Sequence, residues 1–187
     1  MTTPQDIIRP DVLAMTSYPV PDAAGFVKLD AMENPYSLPT GLAAQLGEHL
    51  AGVALNRYPD AAAAAVKQAL RPVLGAPDGA ALMLGNGSDE LIQMFNLAVG
   101  GPGRTVLGMD PTFSIYRIIA AATGLHFAAV PLDAEFDIDV SAALEAIERH
   151  SPAVVYLDYP NNPSGKLFDE RKVRAVIEAA PGLVVLD

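Results

Sequence analysis

Ala153-Val-Val-Tyr-Leu157-Asp-Tyr-Pro-Asn-Asn-Pro-Ser-Gly165, followed by a helical stretch from Asp169 to Ala179 and by Leu183-Val-Val-Leu186-Asp187, decides the fold. Residues 153–157 form a continuous apolar run, short and bounded by a Pro/Asn/Gly turn. Such a run lacks the alternation of a strand with one wet face and reads as a strand buried on both faces. Strand, helix and strand in succession make a parallel pair, because the helix returns the chain to the starting edge of the sheet. Toward the N-terminus the same unit recurs. Ala80–Leu84, Thr105–Met109 and His126–Val130 are apolar runs, and helices are expected from Ser88 to about Val99, from Pro111 to about Thr123 and from Ser141 to Arg149. The expectation is an α/β fold: a three-layer sandwich with a mostly parallel sheet of five strands, covered by helices on both faces.

Ahead of this domain, residues 1–39 lack sustained periodicity and carry Pro10, Pro19, Pro21, Pro35 and Pro39. They read as an extended arm lying on another surface. Residues 40–187 are read as the domain proper. Thr40 is expected to cap a helix through Leu42, Leu46 and Leu50, and Asp60 a second through Val66, Leu70 and Val73, with helix-forming alanines at 61–65. Asn56–Pro59 is a turn between them. At the other end, Asp187 directly follows an apolar strand, where a loop and a covering helix are due. The sheet therefore reads as unfinished and the chain as a fragment.

The composition is that of an ordinary globular protein, with 51% hydrophobic and 18% charged residues among 187. A net charge of -10 with scattered basic residues argues against nucleic acid and anionic lipid as partners. The absence of cysteine excludes disulfides and thiolate metal sites and fits a reducing cytoplasm. Neither a signal peptide nor a membrane-spanning stretch is visible. His49, His126 and His150 stand too far apart in sequence to suggest a metal site.

In open α/β sheets ligands collect beyond the carboxyl ends of the strands, so the loops there are the candidates. Gly85-Asn-Gly-Ser88-Asp89-Glu90 opens a helix whose free amides suit an anion; it is equally a well-made helix start with acids in its first turn. Phe113, in Asp110-Pro-Thr-Phe, can stack on a flat ring or pack in the core. Asn162, in Tyr159-Pro-Asn-Asn-Pro-Ser-Gly165, can offer its amide to an oxygen or merely complete a rigid turn. Asp187 ends a buried strand, where a carboxylate needs a partner; a helix cap and a protonated ring nitrogen are the two options.

Taken in order, Asn-Gly-Ser-Asp-Glu, Pro-Thr-Phe, Asn-Asn-Pro-Ser-Gly and the strand-ending Asp resemble the large domain of fold type I aminotransferases that use pyridoxal 5'-phosphate (PLP). Leu29–Tyr36 (Leu-Asp-Ala-Met-Glu-Asn-Pro-Tyr) and Leu55–Asp60 (Leu-Asn-Arg-Tyr-Pro-Asp) resemble the arm and turn of the histidinol-phosphate aminotransferases. The resemblance covers essentially the whole chain. It implies that Ser88 and Asp89 offer backbone amides to the cofactor phosphate, Phe113 stacks on the pyridine ring, Asn162 bonds the ring hydroxyl oxygen and Asp187 pairs with the ring nitrogen. It further implies that Tyr58 reaches the phosphate of a neighbouring subunit, so that a homodimer shares its sites, and that Tyr18 borders the substrate pocket. The implied reaction is amino transfer between histidinol phosphate and 2-oxoglutarate in histidine biosynthesis. Aromatic aminotransferases, PLP decarboxylases and PLP-sensing regulatory domains are the alternatives; the last carry a helix-turn-helix and a basic face that this chain lacks.

One departure bears on activity. The family forms its Schiff base on a lysine beyond the strand-ending Asp. Lys28, Lys67, Lys166 and Lys172 all precede Asp187, and none lies in the expected context. The catalytic lysine and the substrate-binding arginines are expected beyond residue 187, so this chain alone is expected to be inactive.

Overall fold

The computed structural model describes residues 2–16, 22, 24–28 and 33–187. Two compact units emerge, Met1–Ser17 with Leu84–Asp187, and Tyr18–Met83. In the larger unit, short helices α1 (Pro4–Ile7) and α2 (Pro10–Leu13) precede the sheet. In the smaller unit are α3 (Thr40–Ala51) and α4 (Ala64–Val73). The larger unit then runs α5 (Ser88–Val99), β1 (Thr105–Asp110), α6 (Ser114–Ala122), β2 (His126–Pro131), α7 (Val140–His150), β3 (Val154–Leu157), α8 (Glu170–Ala179) and β4 (Leu183–Leu186).

All strand pairs are parallel, in the order β2-β1-β3-β4. Side chains alternate across each strand, and the core divides accordingly. Leu107, Met109, Val155 and Leu157 face α7 and α8 together with Ile147, Val173 and Val176. Val106, Val154 and Tyr156 face α5 and α6 together with Ile92, Tyr116 and Ala120. The three-layer parallel α/β architecture expected from the sequence is thus present. Gly108 is where the sheet requires a missing side chain: a Cβ there would lie 2.9 Å from the Phe127 ring on β2. That ring in turn carries the Arg117 guanidinium at 4.7 Å from its centroid.

Helix starts follow the side-chain chemistry. Asp139 caps α7 by accepting from the Ala142 amide at 3.1 Å, and Asp169 caps α8 by accepting from the Arg171 amide at 2.8 Å. Lys172 on α8 ties the β2–α7 loop down through Asp133 and Asp137, at 3.2 and 3.3 Å. Within the segment read as an extended arm, Pro4 and Pro10 each open a helical turn, since proline at the first helical position removes only an amide that has no partner there. Arg9 donates to the carbonyls of Ala121 and Ala122 at 3.1 and 3.2 Å, which fastens this segment to the C-terminal end of α6.

Three local expectations change. Thr40 is the first residue of α3 rather than its cap; Pro39 holds that position and no side chain caps the helix. Residues 80–84 have no regular secondary structure and belong to no strand, so the sheet has four strands among the described residues rather than five. An apolar run becomes a strand only by pairing, and no strand among the described residues pairs with this one; the Ala80 carbonyl accepts from the Arg71 guanidinium. Residues 61–63 lie outside α4, which begins at Ala64; Asp60 accepts from the Ala62 and Ala64 amides at 3.0 and 2.9 Å and winds those alanines into a turn ahead of the helix.

Candidate functional site

β1, β3 and β4 each deliver a carboxylate at the carboxyl end of the sheet: Asp110, Asp158 and Asp187. Asp110 is exposed and meets Arg117 at 3.2 Å. Asp158 is buried. Both of its oxygens accept from Asn161 Nδ2 at 3.0 Å, and Oδ2 also accepts from the Asn162 amide at 2.9 Å and the Phe113 amide at 3.2 Å. Burial pushes the Asp158 carboxyl above its ordinary range, while these donors pull it back. Asn161 continues the network, donating to the Pro111 carbonyl at 3.0 Å and accepting from the Ser164 amide at 3.2 Å.

Asp187 is held from below. Tyr116 Oη donates to Asp187 Oδ2 at 2.7 Å. Tyr116 stacks on Tyr156 with ring centroids 4.6 Å apart and planes 8° from parallel, and Phe113 meets Tyr116 edge-on at 5.6 Å. Tyr156 Oη donates to Asn96 Oδ1 on α5 at 2.9 Å. Burial, reinforced for Tyr116 by its bond to Asp187, raises both phenols above the tyrosine range, so they remain protonated donors.

Of the residues singled out in the sequence, Phe113, Asn162 and Asp187 come together here. Phe113 stands at the N-cap of α6, half-buried. Asn162 is bound through its backbone, while its side-chain amide makes no hydrogen bond among the described residues. Ser88 and Asp89 are exposed at the first two positions of α5. Because α5 feeds β1 at the amino end of that strand, its own N-terminus is directed toward the carboxyl ends. No side chain caps the first-turn amides, and the Glu90 carboxylate turns back onto the Asn86 amide at 2.5 Å, in the loop that leads into the helix. Tyr58 belongs to the smaller unit and is fully exposed. Tyr18 lies outside the described residues.

Sequence reasoning passed over Asp158, Asn161, Tyr116, Tyr156 and Asn96. Asp158 was detectable, since the argument that marks Asp187 as a strand-ending carboxylate applies to it unchanged. The two tyrosines occupy ordinary core positions, and nothing in their spacing distinguishes them. The arrangement can accept an anion at the mouth of α5, seat a flat ring against Phe113, donate from Asn162 to a ring oxygen and face a protonated nitrogen with Asp187.

A parallel α/β layer with these groups at its carboxyl edge defines a class, and comparison agrees: the model for aminotransferase class I and II matches residues 24–187, and the chain belongs to that family. It is 57% identical over 188 aligned residues to histidinol-phosphate aminotransferase 1 from Burkholderia lata, covering 100% of this chain and 53% of that one. It is 53% identical to a histidinol-phosphate aminotransferase from Thiocapsa roseopersicina, covering 97% of this chain and 96% of that one. The chain thus spans about half the length of the Burkholderia relatives it matches. Among solved structures, histidinol-phosphate aminotransferase from Sinorhizobium meliloti in complex with pyridoxal-5'-phosphate superposes with a TM-score of 0.67 at 28% identity, over 78% of this chain and 40% of that one. The enzyme of the same name from Clostridium acetobutylicum shares the fold with a TM-score of 0.70 at 23% identity, over 82% of this chain and 44% of that one.

Proposed function

We propose that the protein containing this chain transfers an amino group between histidinol phosphate and 2-oxoglutarate, with PLP as cofactor, as a step in histidine biosynthesis. The observation that carries this reading is the meeting of Phe113, Asn162 and Asp187 at one carboxyl edge, in a chain 57% identical to a histidinol-phosphate aminotransferase. The residues fit PLP. Thr112 Oγ1, next to Phe113, is buried without a partner among the described residues and awaits one. The Asn162 amide is uncommitted, Tyr116 engages only Oδ2 of Asp187, and the amides at the mouth of α5 are uncapped.

PLP, when bound, supplies the sink for electrons left on a substrate carbon that has lost its proton. The chain's residues prepare that chemistry. Asp187 holds a proton on the ring nitrogen by placing a negative charge beside it. Phe113 fixes the ring plane, Asn162 donates to the ring hydroxyl oxygen, and the Ser88 and Asp89 amides hold the phosphate. Tyr58 is assigned to the phosphate of a neighbouring subunit in a homodimer, and Tyr18 to the rim of the substrate pocket. The Schiff-base lysine is assigned to the part of the protein beyond residue 187, which makes the 187-residue chain inactive by itself. No helix among the described residues is long and apolar enough to cross a membrane, and a cytoplasmic location suits the reaction.

Borohydride reduction of the full-length, PLP-loaded protein tests the reading. One covalent adduct on a peptide beyond residue 187, with glutamate formed from 2-oxoglutarate when histidinol phosphate is the donor, is the expected result. Preference for an aromatic amino acid would move the substrate assignment, and absence of any adduct would remove the cofactor. Turnover by the isolated 187-residue chain would overturn the placing of the lysine.

A further inference from the structure

Asp158 is the most buried carboxylate among the described residues, 3% exposed, and no cation reaches it. Burying a carboxylate is costly unless its lone pairs are filled. All of its side-chain partners are neutral N–H groups, and they come from two different loops. Phe113 lies after β1, and Asn161 and Asn162 lie after β3. A single oxygen, Oδ2, accepts both the Phe113 and the Asn162 amide. Asn161 closes the link by donating to the Pro111 carbonyl from the same nitrogen that meets Asp158. Elsewhere the chain shows what a purely structural tie between loops looks like: Asp133, partly exposed, and Asp137, buried, both meet a cation, Lys172.

We infer that Asp158 is a positioning residue for the cofactor ring: it sets the spacing between Phe113, which would lie against the ring face, and Asn162, which would bond the ring oxygen. The inference rests on the PLP reading above. A carboxylate suits the task because Oδ2 accepts both backbone amides while Oδ1 also accepts from Asn161 Nδ2; a side-chain amide could still accept the two backbone N–H groups on its one oxygen but would turn a donor toward Asn161 Nδ2.

The test uses the full-length protein with Asp158→Ala and Asp158→Asn, and three readouts. In the PLP-free protein, Asp158→Ala should speed hydrogen exchange at the Phe113 and Asn162 amides together. In the loaded protein it should weaken PLP binding by about tenfold or more, the scale of losing hydrogen bonds to a buried charge. It should also diminish or shift the visible circular dichroism of bound PLP, which reports ring tilt. Asp158→Asn retains one acceptor and should recover part of each effect; it also carries the test if the alanine variant does not fold. Faster exchange or a lower melting temperature with PLP affinity and circular dichroism unchanged would overturn the inference and leave Asp158 a structural tie. Wild-type protein that takes up no PLP would overturn the cofactor reading and this inference with it, and is told apart because the failure appears before any substitution.

Discussion

At the scale of single residues, the pair that matters most is Tyr116 and Asp187. A carboxylate at a strand end can swing, and the Tyr116 hydroxyl at 2.7 Å stops it while leaving Oδ1 available. Tyr116→Phe keeps the stacked ring but deletes the donor. In the full-length protein the expected outcome is retained PLP with kcat lowered roughly 10- to 100-fold, the equivalent of a hydrogen bond to a charged group. Equal loss of PLP binding and kcat would instead mean that Tyr116 shapes the whole site. The same residue implies an alkaline limit. Its folded phenol is raised above the ordinary value, with burial as the first cause and the bond to Asp187 as the second. A group raised on folding contributes stability that is complete below its unfolded value, about 10 for tyrosine, and is lost progressively as pH rises from there through the higher folded value. Melting temperature should therefore fall above pH ~10, less steeply in Tyr116→Phe than in wild type. Parallel slopes would sink this account. Of this pair, only Asp187 was legible in the sequence, as an ionisable group ending an apolar run, although the chain leaves it exposed rather than buried; Tyr116 lies at a helical core position that any large apolar residue could fill.

At the scale of elements, α8 depends on its cap. Asp169 is lowered to about 2, first by its bond to the Arg171 side chain and then by the Arg171 amide. Its contribution is present above the unfolded value near 3.8 and disappears as pH falls toward 2. Asp169→Ala should lower the melting temperature at neutral pH, and the gap to wild type should close between pH ~4 and ~2. A gap independent of pH would mean that the cap acts through packing. The four strands and four large helices of the sheet unit were readable because each buried run is bounded by a capping or turn residue: Asp139 before α7, Asp169 before α8, and Pro160 to Gly165 after β3. Residues 80–84 were misread for a physical reason. Hydrophobicity reports burial, but pairing requires a neighbouring strand, and residues 80–84 have none among the described residues. The candidate site divides along the same line. Loop residues with chemical side chains could be found one by one, but the Asp158 network that joins them depends on which loops the sheet brings side by side.

At the scale of the whole molecule, the two edges of the sheet are closed unequally. β1 and β3 are buried throughout their central residues, while Leu183 and Leu186 of β4 remain 47% and 53% exposed. Among the described residues β4 pairs with β3 on one side only, and its other edge presents four apolar residues with no charge or proline to discourage pairing. The opposite edge strand, β2, ends on Pro131 and alternates buried with exposed residues, which makes it a poorer template. An unprotected apolar edge is a site for strand addition, and two copies can satisfy one another there. The 187-residue chain alone should therefore associate in a concentration-dependent way in sedimentation, and Leu186→Lys should suppress that association while shifting the melting temperature little, since the position is already half exposed. A wild-type chain that stays monomeric at every concentration would show that β4 is protected by something other than a strand partner. Association that persists in Leu186→Lys would move the contact to the smaller unit, where Leu42, Leu46 and Leu50 form an exposed stripe along α3.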